Sequence, residues 1–450
     1  MSPLDHLLWL TDNQPDLRSA MTSLAVFEGD CDTEAVTRRF ASACARVDRL
    51  RQRVVHNPVS IAPPRWEIDP HFDLAEHLRF ASGEEAPDHR TLLDQAATIA
   101  AGRLPKDRAQ WRVLVIPALA DGGWALIMQA HHALADGLGA LQIQLALFDL
   151  DSPTSDTPDG DDDTTSAPRP YDGTERVVDA ALWQARRGLD VLDRSAAAVG
   201  RGLVAPRAAM RRAQGTAASL ARTLRQPRNR LSSVYTERGG GVRLDVLELA
   251  LPELKAAARR FGTRLNAVFL AGYADGLRRH HERHGRPVEA LRLGLPVSTR
   301  ADSGAAGNHI VPIRIDLPLR NAGPADLSRE IEAAVDEARS ERTLELLPDL
   351  VLAATRLPPP LAIRAYREVL SGIDVQASNL PGSPLPAYLA GSKLVAQYPF
   401  GPLAASACNV TLLSYCDAAH VGVTTSPAAI ADPEAFVADL VAGFDAILDI

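Results

Sequence analysis

The chain has 450 residues, more than one ordinary compact domain holds, and its 46% hydrophobic and 23% charged residues describe a folding sequence rather than a disordered one. A net charge of −8 argues against a nucleic-acid partner gathered by a basic surface. The four cysteines, Cys31, Cys44, Cys408 and Cys416, have no CxxC spacing. They point to a reducing compartment rather than to a disulfide framework or a zinc site.

The opening MSPLDHLLWLTDNQ lacks a basic region followed by an apolar core, and no run reaches the roughly 18 apolar residues that span a bilayer. The expectation is a cytoplasmic or membrane-peripheral protein. Residues 24–28 read as a strand and 33–53 as a helix capped by Asp32 or Thr33. Two apolar runs, 111–119 and 124–130, flank Asp121-Gly122-Gly123, which is hairpin chemistry. The second run leads directly into His131-His132-Ala133-Leu134-Ala135-Asp136-Gly137, and 137–150 is apolar and long enough for a helix. The His tract therefore falls on a strand-to-helix connection.

At Asp151 the composition shifts to Asp, Ser, Thr, Pro and Gly without apolar periodicity, which marks a linker. Residues 174–225 regain helical spacing. The second half of that segment is basic, with Arg194, Arg201, Arg207, Arg211, Arg212, Arg222, Arg225, Arg228 and Arg230 and no acid between Arg194 and Thr236. Two readings stand side by side: a basic amphipathic helix lying on an anionic membrane, or an interdomain helical hairpin with a solvated Arg face. Beyond Gly239-Gly240-Gly241 a second α/β unit is expected, with strands at 244–249, 291–297 and 310–317 and helices at 252–261, 266–279 and 326–342. A hairpin of 409–415 and 420–425 follows, and Asp432 caps a last helix to about residue 448.

Adjacent side chains on an extended chain point to opposite faces, so His131 and His132 do not converge on one metal ion. One imidazole, with a pKa of about 6.5, suits proton transfer, with Asp136 orienting the region and Gly137 and Gly139 letting chain and substrate approach. The competing reading makes both histidines satisfied core residues and Asp136 a plain helix cap. GxSxG, GxxxxGK[ST] and GxGxxG are all missing. Hydrolase, NTPase and dehydrogenase readings thus find no support, and a hydroxyl deprotonated by His attacks most simply without a covalent enzyme intermediate.

The tract HHALADG resembles the HHxxxDG motif of the chloramphenicol acetyltransferase-like and condensation-domain superfamily. Its setting is more specific. SPLDHLLWLTDN, RWEIDPHFDLAEHLR, DRAQWRVLVIPAL, TRLNAVFLAGYADGLRRH, LGLPVSTR, GNHIVPIRIDLPL and SNLPG are similar, in order, to the bacterial wax ester synthase/diacylglycerol acyltransferase family. The resemblance implies an α/β protein of two chloramphenicol acetyltransferase-like mixed-sheet domains, 1–150 and 241–450, joined by the 151–240 linker and basic segment. The active site would lie at their interface.

It implies acyl-CoA as co-substrate, a lipid alcohol as acceptor, no cofactor, no metal and an anionic membrane or lipid droplet as working surface. His132 would be the base, His131 mainly structural, and Asp136 would hold the loop by pairing with Arg300. Asn266, Ser378 and Asn379 are candidates to stabilise the oxyanion, Gly137 and Gly382 would permit close approach, and Trp111 would support the site. The sequence departs from the family at Arg112, where an acid is usual, and at Ala267, where the family has Asp. Those departures leave two other readings: a superfamily acyltransferase for a specialised lipid or secondary-metabolite alcohol, and a non-catalytic lipid-binding paralogue.

Overall fold

The computed structural model describes residues 1–56, 62–83, 85–134, 137–150, 171–204, 207, 210, 230–239, 241–298, 310–340 and 350–448. In the first half, β1 (Ala20–Phe27) and β6 (Trp124–His131) form an antiparallel pair running from Ala20 opposite His131 to Phe27 opposite Trp124, with β6 buried on both faces over residues 124–127. The expected hairpin forms: β5 (Trp111–Ile116) pairs with β6, and the turn is made by Gly122 at φ 91° and Gly123 at φ 76°. A side chain at Gly123 would also meet the Phe27 carbonyl oxygen at 2.2 Å, so this position admits only glycine.

Helix α1 (Pro3–Thr11) starts at Ser2, whose hydroxyl accepts the Asp5 N–H. Helix α2 (Thr33–Arg46) starts at Asp32, as expected, but stops short of residue 53. Val47 turns extended there, and after a short 3-10 turn β2 (Gln52–Val55) pairs with β3 (Arg65–Ile68) in a separate ribbon. The short β4 (Leu78–Phe80) runs parallel to β5. Helix α3 (His89–Ala101) lies on one face of the first sheet. On the other face, α2 and α4 (Gly137–Leu147) cover a core built around Trp111, Trp124 and Phe40.

In the second half, β7 (Arg243–Ala250), β8 (Ala290–Ser298), β9 (Ile310–Pro318), β10 (Val375–Leu380), β13 (Cys408–Tyr415) and β14 (Ala418–Thr425) form a sheet ordered β7-β14-β13-β10-β8-β9. β10 is parallel to both β8 and β13, and the other pairs are antiparallel. The β13–β14 hairpin closes more tightly than expected, with Tyr415 opposite Ala418. Helices α6 (Leu251–Phe261), α7 (Leu265–Arg283), α8 (Pro324–Arg339) and α10 (Pro433–Leu448) pack into the larger core. Two further helices, α5 (Gly173–Val204) and α9 (Pro359–Leu370), lie outside that layer.

The sheets do not divide where the sequence halves do. β11 (Tyr388–Leu389) and β12 (Ser392–Phe400) belong to the first sheet, whose order is β11-β12-β1-β6-β5-β4. β12 runs antiparallel to β1, with Thr22 opposite Phe400, and also lies against β13 and β14. A side chain at Gly422 of β14 would meet the Pro399 carbonyl oxygen at 1.9 Å, so β12 and the second sheet touch backbone to backbone. Helix α3 joins the halves a second time: its Leu92, Leu93 and Ala96 share a core with Leu244 and Phe400, and Arg90 binds Asp245 at 2.7 Å.

Candidate active site

β6 delivers the histidines to the seam between the halves. His131, its last residue, is fully buried. The Ala133 N–H donates to its Nδ1 at 3.1 Å, so the neutral ring carries its proton on Nε2. That nitrogen faces Ser19 Oγ at 3.3 Å and Asp12 Oδ1 at 3.7 Å, and the ring meets Trp9 edge-on at 5.5 Å between centroids. Burial, helped by the neighbouring His132 and Lys106, pushes its pKa down to about 3. His131 is thus neutral near pH 7, with both nitrogens engaged by the scaffold.

His132 opens a 3-10 turn (His132–Leu134) packed against α1. Burial lowers its pKa, opposed by the Asp5 carboxylate and by a hydrogen bond from the ring to its own backbone carbonyl. Asp5 is 8% exposed; its Oδ2 accepts the Ser2 hydroxyl at 2.6 Å, while Oδ1 has no hydrogen-bond partner among the described residues. The sequence reading missed Asp5. Its signal, Ser-Pro-Leu-Asp at a helix start, is a capping pattern that conceals an electrostatic contact with a residue 127 positions away.

Under His131 lies a layer of charge. Burial raises the Asp12 pKa against the pull of Lys106, Arg103 and Arg18, and burial lowers that of Lys106 against the pull of Asp12. Lys106 also sits 4.6 Å above the Trp9 ring.

Across the seam the structure brings Asn266 and Asn379 together. Asn266 stands in the first turn of α7, Asn379 in β10, and the Asn379 Nδ2 donates to Asn266 Oδ1 at 3.5 Å. Ser378 precedes Asn379 on the same strand, so it points to the opposite face and does not share that cluster. Gly382 donates its N–H to Ser414 Oγ at 3.2 Å, and a Cβ there would lie 2.0 Å from the Ser414 carbonyl oxygen. The close approach that Gly382 serves is therefore to β13. Gly137 is the first residue of α4, while Asp136 and Arg300 fall outside the described residues.

Trp111 is 1% exposed, donates to the Leu50 carbonyl at 2.8 Å and stacks on His77 and Phe40. Its neighbour Arg112 bonds Gln129 Oε1 and the Ile99 carbonyl, both at 2.8 Å. Gln129 in turn donates to the Ala100 and Gly102 carbonyls, so the two side chains close the C-terminal end of α3, where a cation is favoured. Ala267 is 3% exposed, inside the second half's packing. Neither departure from the family pattern reaches the His tract through any hydrogen bond or ion pair among the described residues.

Two six-stranded mixed sheets, one completed by strands from the other half, with buried His131 ending the central strand of the first and His132 opening the turn after it, define the two-domain fold of chloramphenicol acetyltransferase-like and condensation-type enzymes. Family profiles place the chain within that class: the wax ester synthase/diacylglycerol acyltransferase catalytic domain matches residues 1–269, and the C-terminal domain of the same family matches 306–448. The chain belongs to this family and is an acyltransferase. A Mycobacterium tuberculosis protein named putative diacylglycerol O-acyltransferase is 31% identical over 100% of this chain and 91% of its own. The wax ester synthase/diacylglycerol acyltransferase of Marinobacter aquaeolei superposes with a TM-score of 0.64 at 19% identity, covering 99% of this chain and 98% of its own. A point mutant of the starter condensation domain of rhizomide synthetase, solved in complex with C8-CoA, superposes at 0.55 with 15% identity, covering 100% and 94%.

Proposed function

We propose that the chain transfers a fatty-acyl group from coenzyme A to the hydroxyl of a diacylglycerol or a long-chain alcohol, with His132 as general base. The observation that carries this is the place and state of the His132 ring: it opens the 3-10 turn that follows the central strand, packed against α1 beside the Asp5 carboxylate, and burial lowers its pKa, which favours the neutral base. The acceptor hydroxyl gives its proton to the His132 imidazole as its oxygen attacks the thioester carbonyl. The tetrahedral intermediate then collapses, the C–S bond breaks, and the imidazolium returns the proton to the departing thiolate. Asn379 offers one amide N–H to Asn266 and holds a second for the oxyanion. Loss of one such donor typically lowers kcat by about 100- to 1,000-fold. The acceptor class is carried over from the name of the tuberculosis relative and of the Marinobacter enzyme, and the thioester from the CoA complex of the condensation domain.

A lipid interface as the place of work is supported by α5, which exposes Val178, Leu182, Leu189 and Leu192, spaced as one stripe along the helix. No helix among the described residues is long and apolar enough to cross a membrane.

The test pairs purified protein with labelled palmitoyl-CoA and a panel of acceptors including diacylglycerol and hexadecanol, with His132→Ala alongside. Acceptor-dependent ester formation is expected, reduced roughly 100- to 10,000-fold in the variant. Equal ester from both proteins would remove His132 from the mechanism; CoA release without acceptor would point to thioester hydrolysis.

A further inference from the structure

A second polar feature of the seam takes no part in this chemistry. Between β1, the end of α3 and the 400–406 segment lies a cleft of about 590 Å³ counting its open mouth, lined by Arg18, Thr22, Ala101, Arg238, Phe400 and Thr424 among others. Four of these carry a buried polar atom without a hydrogen-bond partner among the described residues: Arg18 Nε, Arg238 Nη2, Thr22 Oγ1 and Thr424 Oγ1. Thr22 and Thr424 are 4% and 3% exposed, so bulk water does not satisfy them. Such a concentration in one cleft is unusual, because buried polar groups are nearly always paired.

The charge balance is equally one-sided. Arg18 donates to the Ala101 carbonyl, and Arg238 to the carbonyls of Ala405, Tyr235 and Glu237, but neither forms an ion pair among the described residues. The one acid lining the cleft, Asp16, is already bound by Arg367 at 3.1 Å. Asp374, the acid acting on Arg238 from behind, accepts the backbone N–H groups of Leu231, Ser232 and Arg292. Burial, reinforced by Arg230, brings the Arg238 pKa down to about 10. Water in the cleft would meet the hydroxyls but would give neither guanidinium a directly bonded anion. A tetrahedral anion with several acceptor oxygens meets both needs.

We propose that this cleft binds a phosphate group, held by Arg18 and Arg238 and by the hydroxyls of Thr22 and Thr424. Ala20, also in its lining, pairs in register with His131, so the wall of the cleft is the strand next to the one that carries the His tract, roughly 4.8 Å away. The phosphate is that of a ligand reaching toward the reacting centre. Its source is the nucleotide end of coenzyme A or a phosphate-bearing lipid; the first rests on the acyl-transfer reading above, whereas phosphate binding itself does not.

The full chain titrated with inorganic phosphate, followed by Tm and by ³¹P line broadening, tests the site without any turnover. A saturable response is expected, weakened about tenfold or more in Arg18→Gln and in Arg238→Gln. Because Arg238 also ties down three carbonyls, Thr22→Val is the control for folding: it removes an unpaired buried hydroxyl, so Tm without phosphate rises while phosphate affinity falls. Competition by coenzyme A but less by 3′-dephospho-coenzyme A assigns the site to the cosubstrate. Competition by glycerol 3-phosphate assigns it to a lipid. No saturable response in the wild-type chain, or equal affinity in the arginine variants, overturns the proposal.

Discussion

His132 is pulled two ways: burial disfavours its charged form, while Asp5 and its own carbonyl favour it. Burial wins, so the folded pKa lies below 6.5 and the base is already deprotonated at neutrality. The kcat/KM profile is therefore expected to be flat above pH 6.5 and to fall on the acid side only below it. Asp5→Asn removes the opposing charge and should shift that acid limb to still lower pH; an unmoved limb would separate Asp5 from the base. His131 tests the scaffold instead. Its folded pKa of about 3 against an unfolded value near 6.5 means the unfolded chain binds the extra proton between those limits. The stability it contributes is whole above pH 6.5 and is lost as pH falls toward 3, amounting to about 2 kcal/mol between pH 7 and pH 5. Urea unfolding of His131→Gln at both pH values should show that much less pH dependence than the wild type. At this scale the place of the His tract between a strand and a helix was legible in the sequence, and Asn266 and Asn379 were singled out by motif alone. Asp5 was not, because a contact with His132 across 127 positions leaves no mark in local spacing.

Helices and strands were readable where the chain itself supplies the partner. The β5–β6 and β13–β14 hairpins carry their turns between their strands, and Asp32 and Asp432 cap the helices that follow them directly. β10 and β12 were not found, since their partners lie far off in sequence, and the 378–382 segment has turn chemistry at the end of a real strand. Arg112, which read as a change in the site, is the clasp on α3. The α7–α10 contact is also invisible locally: a Cβ at Gly276 would lie 2.7 Å from Leu440 Cα, so Gly276→Ala should cost about 1–3 kcal/mol in chemical denaturation. For α5, Leu189→Ser with Leu192→Ser should lower co-sedimentation with anionic liposomes at unchanged Tm. Equal pelleting would show that its apolar stripe faces something other than lipid.

For the whole molecule, two α/β units and a reaction centre at their seam were legible from composition, linker and resemblance. The exchange of β12 was not, because nothing in SKLVAQYPF says which sheet it joins. It follows that residues 1–240 expressed alone should be insoluble or molten, and should recover cooperative unfolding when co-expressed with 241–450. A soluble, cooperatively folded 1–240 fragment would contradict this. The same strand also sets a schedule for biosynthesis. β1 leaves the ribosome early, yet its neighbour on one side is encoded more than 360 residues later, a wait of roughly 20–75 s at ordinary elongation rates. Throughout that interval the nascent sheet shows an open edge to every other unfinished chain, so production of this enzyme should depend on translation speed and chaperone supply more than its final stability suggests.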